Sequence, residues 1–449
     1  MSSLRAGFAR VNVNPMMGID ISGYFIERKA EGFLDDLEAN ALALESDGTK
    51  AVLISIDNLG IKQDIALPIC EAVCRATGLA SEAVFLNETH THTGPEVKDA
   101  DTDPLQGEYV TFLTRRICDV AQAALADLKP ARMGYGMGQA PNIAFVRRFR
   151  MKDGGIRTNP GVDNPDIVEP IGEVDERVNV VRFDREGGDT LVLVNFGNHP
   201  DVVGGCKISA DWPGFVRRTV EKTLDGTKCI FFNGAQGDVN HVNVHPRGGY
   251  LNDMFMDFDD VARGYAHSRY IGRVVTAGVL QTFDKVQYVE APSLRVARRP
   301  IRVPSNMPRP EDLPEARRIH ALHTEGRDEE IPYCGMMLTT VVAEAARMVR
   351  LEHGPAHFDM ILSGLSLGPV AMLGIPGEPF TGIGRALKET EGYEMVCPMC
   401  CTNGYEGYFP MQEAYDEGGY ESRSSAFRAG VAEYVIAEGK TLLGELNKK

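Results

Sequence analysis

One arrangement recurs three times along the chain and restricts the fold more than any other feature of the sequence. Each time, an extended segment runs through a glycine-containing turn into a second, mostly apolar segment that ends in a polar cluster. The three segments are LEANALALESDGTKAVLISIDNLG, NVVRFDREGGDTLVLVNFGNHP and FDMILSGLSLGPVAMLGIPGEP. Their turns, Asp47-Gly48, Gly187-Gly188 and Gly368-Pro369, are typical of hairpins between β-forming residues. The sequence therefore predicts three β-hairpins whose polar clusters lie at strand ends.

Continuous apolar runs such as TLVLVNF indicate strands that are buried on both faces, so helices must cover the sheets. Helical spacing of apolar residues occurs in KQDIALPICEAVCRATGL, EYVTFLTRRICDVAQAALADL, ADWPGFVRRTVEKTLDG, YIGRVVTAGVLQTF and MMLTTVVAEAARMVRLEHG. We expect an α/β fold with mixed β-sheets made of hairpin units, covered by helices, with an active site at the strand ends. We expect one catalytic domain over residues 1–449, with a polar, helix-prone surface excursion or lid around residues 304–332.

Charge and composition exclude several classes of function. The formal net charge is -16, and no basic stripe is present, so nucleic acid is not predicted as a partner. No segment approaches eighteen uninterrupted apolar residues, which argues against stable membrane insertion. The N-terminal residues have no apolar signal region, and the nine cysteines form no recognisable disulfide framework. These features predict a cytoplasmic protein whose cysteines, including those of CPMCC, are structural or incidental thiols.

The polar clusters contain residues that bind metals. In NETHTHTGP an apolar run ends in His90 and His92, which would point the same way from an extended chain as a metal or proton-transfer pair. His199 lies in GNHP at the end of the second hairpin, and Glu378 lies between a glycine and a proline in GIPGEPF. A buried carboxylate there requires a cation or a hydrogen-bond network. His90 or His92, His199 and Glu378 could together form a zinc-type set of two histidines and one carboxylate.

Five motifs occur in the order of one enzyme family: THTHTGP, GNHP, NGAQGDVN, GEPF and NGYEGYFPMQEAYDEGGYES. The chain thereby resembles the catalytic domain of the neutral ceramidases, zinc amidases that hydrolyse the amide of N-acyl sphingoid bases. The resemblance extends from GFARVNVNP near the start to YESRSSAF near the end. It implies a ceramidase-like zinc amidohydrolase with Zn²⁺ as its cofactor.

Carried over by position, the resemblance also implies individual roles. The implied zinc ligands are His90, His199, Glu378 and Tyr408. The implied catalytic residues are His92, Tyr420 and an arginine, which is Arg147 or alternatively Arg148. Asp57 and Asp238 are candidates for orienting a ligand imidazole from behind.

The chain also departs from the family. Ceramidases carry a serine after Gly-Asp-Val in the third motif, whereas Asn240 stands there in this chain, which excludes a serine nucleophile at that position. The chain ends soon after the tyrosine motif, where ceramidases continue into a β-sandwich. We therefore expect a substrate that is smaller or more polar than ceramide. The predicted partner is a small N-acyl molecule, and a homo-oligomer is possible. An esterase or lactonase on the same zinc site, and a non-catalytic zinc-dependent binding protein, are the alternatives.

Overall fold

Three four-stranded units with one common strand order make up most of the molecule. The computed structural model describes residues 4–98, 103–246, 254–259 and 261–448. In each unit the first three strands are antiparallel, and the fourth strand pairs in parallel with the third. A helix connects the third strand to the fourth, and another helix follows the fourth. The predicted hairpins are therefore the middle strands of the three units.

Unit A comprises residues 5–126. Its strands are β1 (Arg5–Asn12), β2 (Glu38–Ser46), β3 (Thr49–Ile56) and β4 (Val84–Glu88). Its helices are α1 (Gln63–Thr77) and α2 (Pro104–Ala126). Both residues of the turn between β2 and β3 have positive φ, +50° at Asp47 and +82° at Gly48, as a tight two-residue hairpin requires.

Unit B comprises residues 129–282. Its strands are β5 (Lys129–Gln139), β6 (Arg177–Arg185), β7 (Thr190–Phe196) and β8 (Thr227–Asn233). Its helices are α3 (Asp211–Thr223) and α4 (Tyr265–Thr282). The units A and B share one sheet, because Arg5 and Ala6 of β1 pair with Pro130 and Lys129 of β5.

Unit C comprises residues 294–448 and has its own sheet. Its strands are β9 (Leu294–Pro304), β10 (His357–Leu367), β11 (Val370–Gly374) and β12 (Met395–Met399). Its helices are α5 (Leu313–Thr324), α6 (Gly335–Glu352), α7 (Thr381–Lys388), α8 (Gln412–Glu417), α9 (Tyr420–Ser424) and α10 (Val431–Lys448). The predicted polar excursion contains α5, which packs on α6 through an apolar contact that includes Ile319 and Val342.

Short elements complete the described part of the chain. The short strands are Gly32–Phe33, Phe145–Val146, Arg148–Met151, Ile156–Thr158, Ile167–Pro170, Lys207–Ile208, Val239–Asn240, Phe255–Met256, Ala262–Arg263, Gln287–Val289, Glu378–Pro379 and Tyr408–Phe409. The 3-10 turns are Ser81–Ala83, Phe283–Lys285 and Asp328–Glu330. None of the described helices is long and apolar enough to cross a membrane.

Alternating side chains place apolar residues on both faces of the sheets. In β2, Ala39 and Ala41 pack toward α1 and α2, whereas Leu42 and Leu44 point into a second apolar cluster. This central cluster is shared by all three units. Its members include Leu42, Leu44, Leu53 and Phe85 of unit A, Leu191, Leu193, Ile230 and Phe232 of unit B, and Leu365, Leu367, Met372 and Met399 of unit C. The prediction of a mixed α/β fold with helix-covered sheets is confirmed.

Candidate active site

The carboxyl ends of three strands, one from each unit, bring the predicted residues together. His90 and His92 follow β4, His199 follows β7, and Glu378 follows β11, so that each unit supplies part of the site. The carboxyl ends of parallel strands are the usual ligand-binding edge of α/β sheets. The histidine pair does not continue the strand as predicted, because β4 ends at Glu88 and His90 has φ +73°. The two rings nevertheless lie side by side, with centroids 5.1 Å apart.

Three donor atoms converge at the centre of the site. Nε2 of His90 lies 3.3 Å from Nε2 of His199. Oε2 of Glu378 lies 3.2 Å from Nε2 of His90 and 3.6 Å from Nε2 of His199. Each of the three residues is only 1% exposed. We call His90, His199 and Glu378 the donor centre.

The protons of the two imidazoles are on the far side of the rings. Nδ1 of His90 lies 2.7 Å from the carbonyl oxygen of Leu59, and Nδ1 of His199 lies 3.2 Å from that of Gln236. A carbonyl only accepts, so each Nδ1 carries a proton, and in the neutral ring the Nε2 then presents a lone pair. The expected orienting role of Asp57 and Asp238 is wrong, because Asp57 forms an ion pair with Arg217 and Asp238 accepts from Thr381.

The donor centre fits a metal ion. Three lone pairs that face each other repel electrostatically unless a proton lies between them. A metal cation at the centre would turn this repulsion into attraction. Tetrahedral zinc, with bonds of roughly 2.0–2.1 Å, holds neighbouring ligand atoms about 3.3 Å apart, which is the spacing found here. His92 is also close, since His90, His92 and His199 can each offer a ring nitrogen within 4.8 Å of the others. This buried histidine group could therefore hold a metal ion.

Glu378 is held in place by two neutral donors. Its Oε1 accepts from the hydroxyl of Tyr405 at 2.7 Å, and its Oε2 lies 3.4 Å from the side-chain amide of Gln236. Burial alone would raise the pKa of Glu378, but in the metal-free site protonation of His90 and His199, together with the charge of Arg147, outweighs it and holds that pKa well below its usual value. The carboxylate is therefore ionised and available as a ligand.

His92 is beside the donor centre and has a free ring. Neither ring nitrogen has a hydrogen-bond partner among the described residues. Burial lowers the pKa of His92 to about 3, although the nearby Asp201 opposes this shift. Nδ1 of His92 lies 3.7 Å from Oδ1 of Asp201. The ring is therefore neutral near pH 7, and a carboxylate lies where it would stabilise a positive charge on that ring.

Asp201 is fixed by a buried network. Tyr24 donates its hydroxyl proton to Oδ1 at 2.6 Å, and Arg263 donates to both carboxylate oxygens at 3.0 and 2.9 Å. Although burial raises it, the pKa of Asp201 is held well below its usual value by Arg263. Asp201 therefore stays ionised behind His92.

Arg147 is held at the site by an ion pair with the buried Glu421. Its Nε lies 2.7 Å from Oε1 of Glu421, and its Nη2 donates to the carbonyl of Gly237 at 2.6 Å. Glu421 is completely buried, and its other oxygen accepts from Thr158 at 3.0 Å. The guanidinium carbon of Arg147 lies 5.4 Å from the centre of the Tyr408 ring. These contacts fix the guanidinium beside the tyrosines.

Two further predicted residues, Tyr408 and Tyr420, stack edge to face with centroids 5.6 Å apart. Tyr408 lies beside Arg147, whereas the phenol that donates to Glu378 is that of Tyr405. The alternative arginine, Arg148, instead donates to Glu417 and to the carbonyl of Gly418, each at 3.1 Å. Of the two arginines, Arg147 is thus the one that lies against the tyrosine pair.

Three residues that contact this site were not predicted from the sequence. Asp201, Tyr405 and Glu421 were not among the predicted residues, although each lies within or next to a quoted motif, in GNHPD, NGYEGY and YES. An acidic residue one or two positions after a predicted site residue was the available signal, since Glu421 follows Tyr420 directly and Asp201 is two residues after His199. Asn240, which replaces the family serine, bonds to Asn159 at 3.0 Å.

Two cavities adjoin Tyr420. One, of about 200 Å³, is lined by residues that include Thr158, Met337 and Gly419. The other, of about 340 Å³, lies against Tyr405 and Tyr408 and extends to α6. No residue of the predicted excursion 304–332 lines either cavity. The excursion instead packs on the face of α6 that points away from the larger cavity.

Comparison with known proteins identifies the fold. No protein-family model matches the chain, and no curated protein sequence matches it. Solved structures that match include neutral ceramidase from Pseudomonas aeruginosa, with a TM-score of 0.73 and 18% identity over 99% of this chain and 75% of that one. A ceramidase complexed with C2 has a TM-score of 0.71 and 17% identity over 100% of this chain and 76% of that one. The chain therefore has a neutral ceramidase-like fold.

Proposed function

We propose that the protein is a zinc-dependent hydrolase that cleaves a carboxamide bond by activating water. The observation that carries this proposal is the donor centre, where two imidazole lone pairs and one carboxylate oxygen converge within 3.6 Å. The ceramidase-like fold supports the same conclusion, because the similar structures are ceramidases. One catalytic domain is the natural unit for this function, since every unit contributes to the centre.

His90, His199 and Glu378 would hold the metal, and Tyr408 is the proposed fourth ligand. Bound zinc supplies a Lewis acid that lowers the pKa of water toward neutrality and polarises a carbonyl. The carbonyls of Leu59 and Gln236 fix the ring orientation of the two histidines. Tyr405 fixes the carboxylate of Glu378.

His92 is the proposed proton carrier. Its neutral ring accepts a proton from the attacking water and delivers it to the nitrogen of the leaving amine. The imidazolium that forms in between is stabilised by Asp201, whose Oδ1 lies 3.7 Å from Nδ1. This role suits an amide more than an ester, because an amine leaves only after it has been protonated.

Arg147 and Tyr420 are the proposed donors to the oxyanion that develops on the substrate. Both are held before substrate arrives, Arg147 by Glu421 and Tyr420 by its packing on Tyr408. Preorganised donors of this kind contribute about 3 kcal/mol each to stabilisation of the transition state.

We propose a substrate smaller or more polar than ceramide. The 340 Å³ cavity is at the small end of the roughly 300–1,000 Å³ that ligand pockets occupy. A long-chain lipid site would gain about 0.8 kcal/mol for each buried methylene. We therefore expect kcat/KM to level off between hexanoyl and palmitoyl amides of one amine, and a steady rise to palmitoyl would identify a lipid amidase instead.

The decisive test compares matched substrates with and without metal. The protein is stripped with a chelator, reloaded with zinc, and assayed for amine release from short N-acyl amides and alcohol release from the matching esters. We expect activity only after reloading, on both bonds, with His92→Ala losing amide turnover more than ester turnover. Zinc-independent turnover, or zinc binding without turnover of either bond, would contradict the proposal. The cytoplasmic location and a homo-oligomer stay predictions, which cell fractionation and mass measurement in solution would test.

A further inference from the structure

The 340 Å³ cavity adjoins the proposed active site. Tyr405, Tyr408 and Tyr420 form the wall nearest the donor centre. A molecule whose reacting bond lies at the donor centre would therefore extend into this cavity.

One face of α6 forms the opposite wall. Ala343, Ala346, Arg347 and Arg350 line the cavity, at helical positions i, i+3, i+4 and i+7. The opposite face of α6, which includes Val342, packs on α5. The apolar face of α6 thus packs on α5 of the excursion, and the other face lines the cavity with two alanines and two arginines.

The cavity carries positive charge on an acidic protein. Its charged lining residues are Lys62, Arg347, Arg350 and Glu406, three positive groups against one negative group. None of the three cations lies within 4 Å of a carboxylate among the described residues, Glu406 included. Glu344, the nearest acid on the same helix, is paired with Arg423 instead. With a net charge of -16 on the whole chain, unpaired cations gathered in one cavity point to an anionic ligand.

Arg347 lines this cavity and has one guanidinium nitrogen without a partner among the described residues. It is only 6% exposed, and its Nε and Nη1 donate to the carbonyls of Arg423 and Asn306 at 2.8 and 2.6 Å. Its Nη2 has no partner among the described residues, and the side chain lines the cavity. Burial lowers the pKa of Arg347, although the nearby Glu344 opposes this shift. A bound anion would accept a hydrogen bond from Nη2 of Arg347 and would supply a negative charge beside the guanidinium.

We propose that this cavity binds a carboxylate of the substrate, so that the hydrolysed amide carries a negative charge on one side of its scissile bond. The inference rests on the proposed function and names its substrate class. The alanine walls suit a short apolar spacer between the amide and the carboxylate, and the guanidinium groups of Arg347 and Arg350 suit the carboxylate itself.

Two matched substrate pairs test the charge on either side of the bond. Hexanoylglycine is compared with N-isobutylhexanamide, and N-propyladipamic acid with N-propyl-6-methylheptanamide, in which an isopropyl group replaces the carboxylate. We expect the anionic member of at least one pair to have a kcat/KM about tenfold higher, with the advantage weakening at high ionic strength. In Arg350→Gln the advantage should shrink by roughly fivefold. The matched control is Arg273→Gln, which removes the same charge from an exposed position on α4 outside the cavity and should leave the advantage intact.

The result separates this inference from the proposed function. Hydrolysis of all four amides with no advantage for charge would overturn the inference and leave the hydrolase standing. If none of the four is hydrolysed, calorimetry measures the binding of hexanoylglycine and adipate to metal-free protein. Without a metal, any binding of the carboxylate must be to the protein itself. Binding that weakens in Arg350→Gln but not in Arg273→Gln supports the cavity assignment even without turnover. Equal binding, or no binding, in wild type and both variants overturns it.

Discussion

The donor centre and the cavity beside it share a wall of tyrosines but are constructed differently. The donor centre combines residues from all three units, and the ring Nδ1 atoms and the carboxylate each contact a neighbouring group. The cavity depends on α6, which is inserted between β9 and β10 of unit C alone, and its cations lack acidic partners. The repeated fold thus brings the donor centre together, whereas we propose that an insertion in one repeat selects the substrate.

The largest expected effect concerns the donor centre. His90→Ala removes one of three converging ligands, so zinc content measured by elemental analysis should fall to a small fraction of one per chain. Turnover should fall by roughly a thousandfold or more, because the metal's stabilisation of charge is lost. His353→Ala, which removes an exposed imidazole from the end of α6, is the control and should keep its zinc. Full occupancy in His90→Ala would place the metal elsewhere.

His92→Ala should separate proton transfer from metal binding. We expect zinc content near that of the wild type with amide turnover lower by about two to four orders of magnitude, the usual cost of losing a general acid-base group. If His92→Ala instead loses its metal, then His92 belongs to the donor set and Glu378 or another residue must carry the proton.

Glu421→Gln tests the support of Arg147. The guanidinium would keep its contact with Gly237 but lose its buried counter-charge, so kcat should fall about 10- to 100-fold with a smaller change in KM. Arg147→Lys and the double variant complete a cycle, and we expect strongly non-additive losses. Additive losses would mean that Glu421 acts independently of Arg147.

The free energy of unfolding should differ between a variant that loses a paired charge and a variant that loses an unpaired charge of the cavity. Asp175 bonds to Arg177 and Lys388, and although burial opposes it, these partners lower the pKa of Asp175 to about 2. A depressed carboxyl pKa stabilises the fold above the unfolded value near 4 and loses that effect as pH falls toward 2. Asp175→Asn should therefore cost about 2 kcal/mol in urea unfolding at pH 7 and about half as much at pH 3. An equal cost at both pH values would show that its charge is not what matters.

Arg350→Gln gives the smallest expected change in the same assay. Because Arg350 is exposed and has no acidic partner, its loss should alter the free energy of unfolding by less than about 0.5 kcal/mol at pH 7. A loss as large as that of Asp175→Asn would mean that the cavity cations are structural.

The sequence predicted those features whose signals are local. Turn residues and alternating apolar residues indicated the three hairpins, and the polar residues that follow Phe196 and Phe232 marked strand ends. The resemblance added Tyr420 and Arg147, which the structure brings beside the donor centre. The sequence did not reveal that each hairpin belongs to a four-stranded unit, because the parallel partner strand lies across a helix in the chain.

Other features depend on contacts between distant segments. Glu421 meets Arg147 across more than 270 residues, and Arg263 reaches Asp201 from a separate short strand, so neither partner could be assigned from spacing. The arginines of α6 looked like part of an ordinary amphipathic helix until the structure showed that one face lines a cavity. The carbonyls that orient the two histidines carry no sequence signal at all.

The shared central cluster also constrains how this protein is made. When unit A leaves the ribosome, the face of its sheet that carries Leu42, Leu53 and Phe85 has no covering layer yet. Its partners on β12 are synthesised last, roughly 10 to 60 seconds later at 5–20 residues per second. During that interval an apolar sheet face is open to other nascent chains. Expression of the protein should therefore depend on chaperones that bind early, and fragments ending before β12 should accumulate as aggregates.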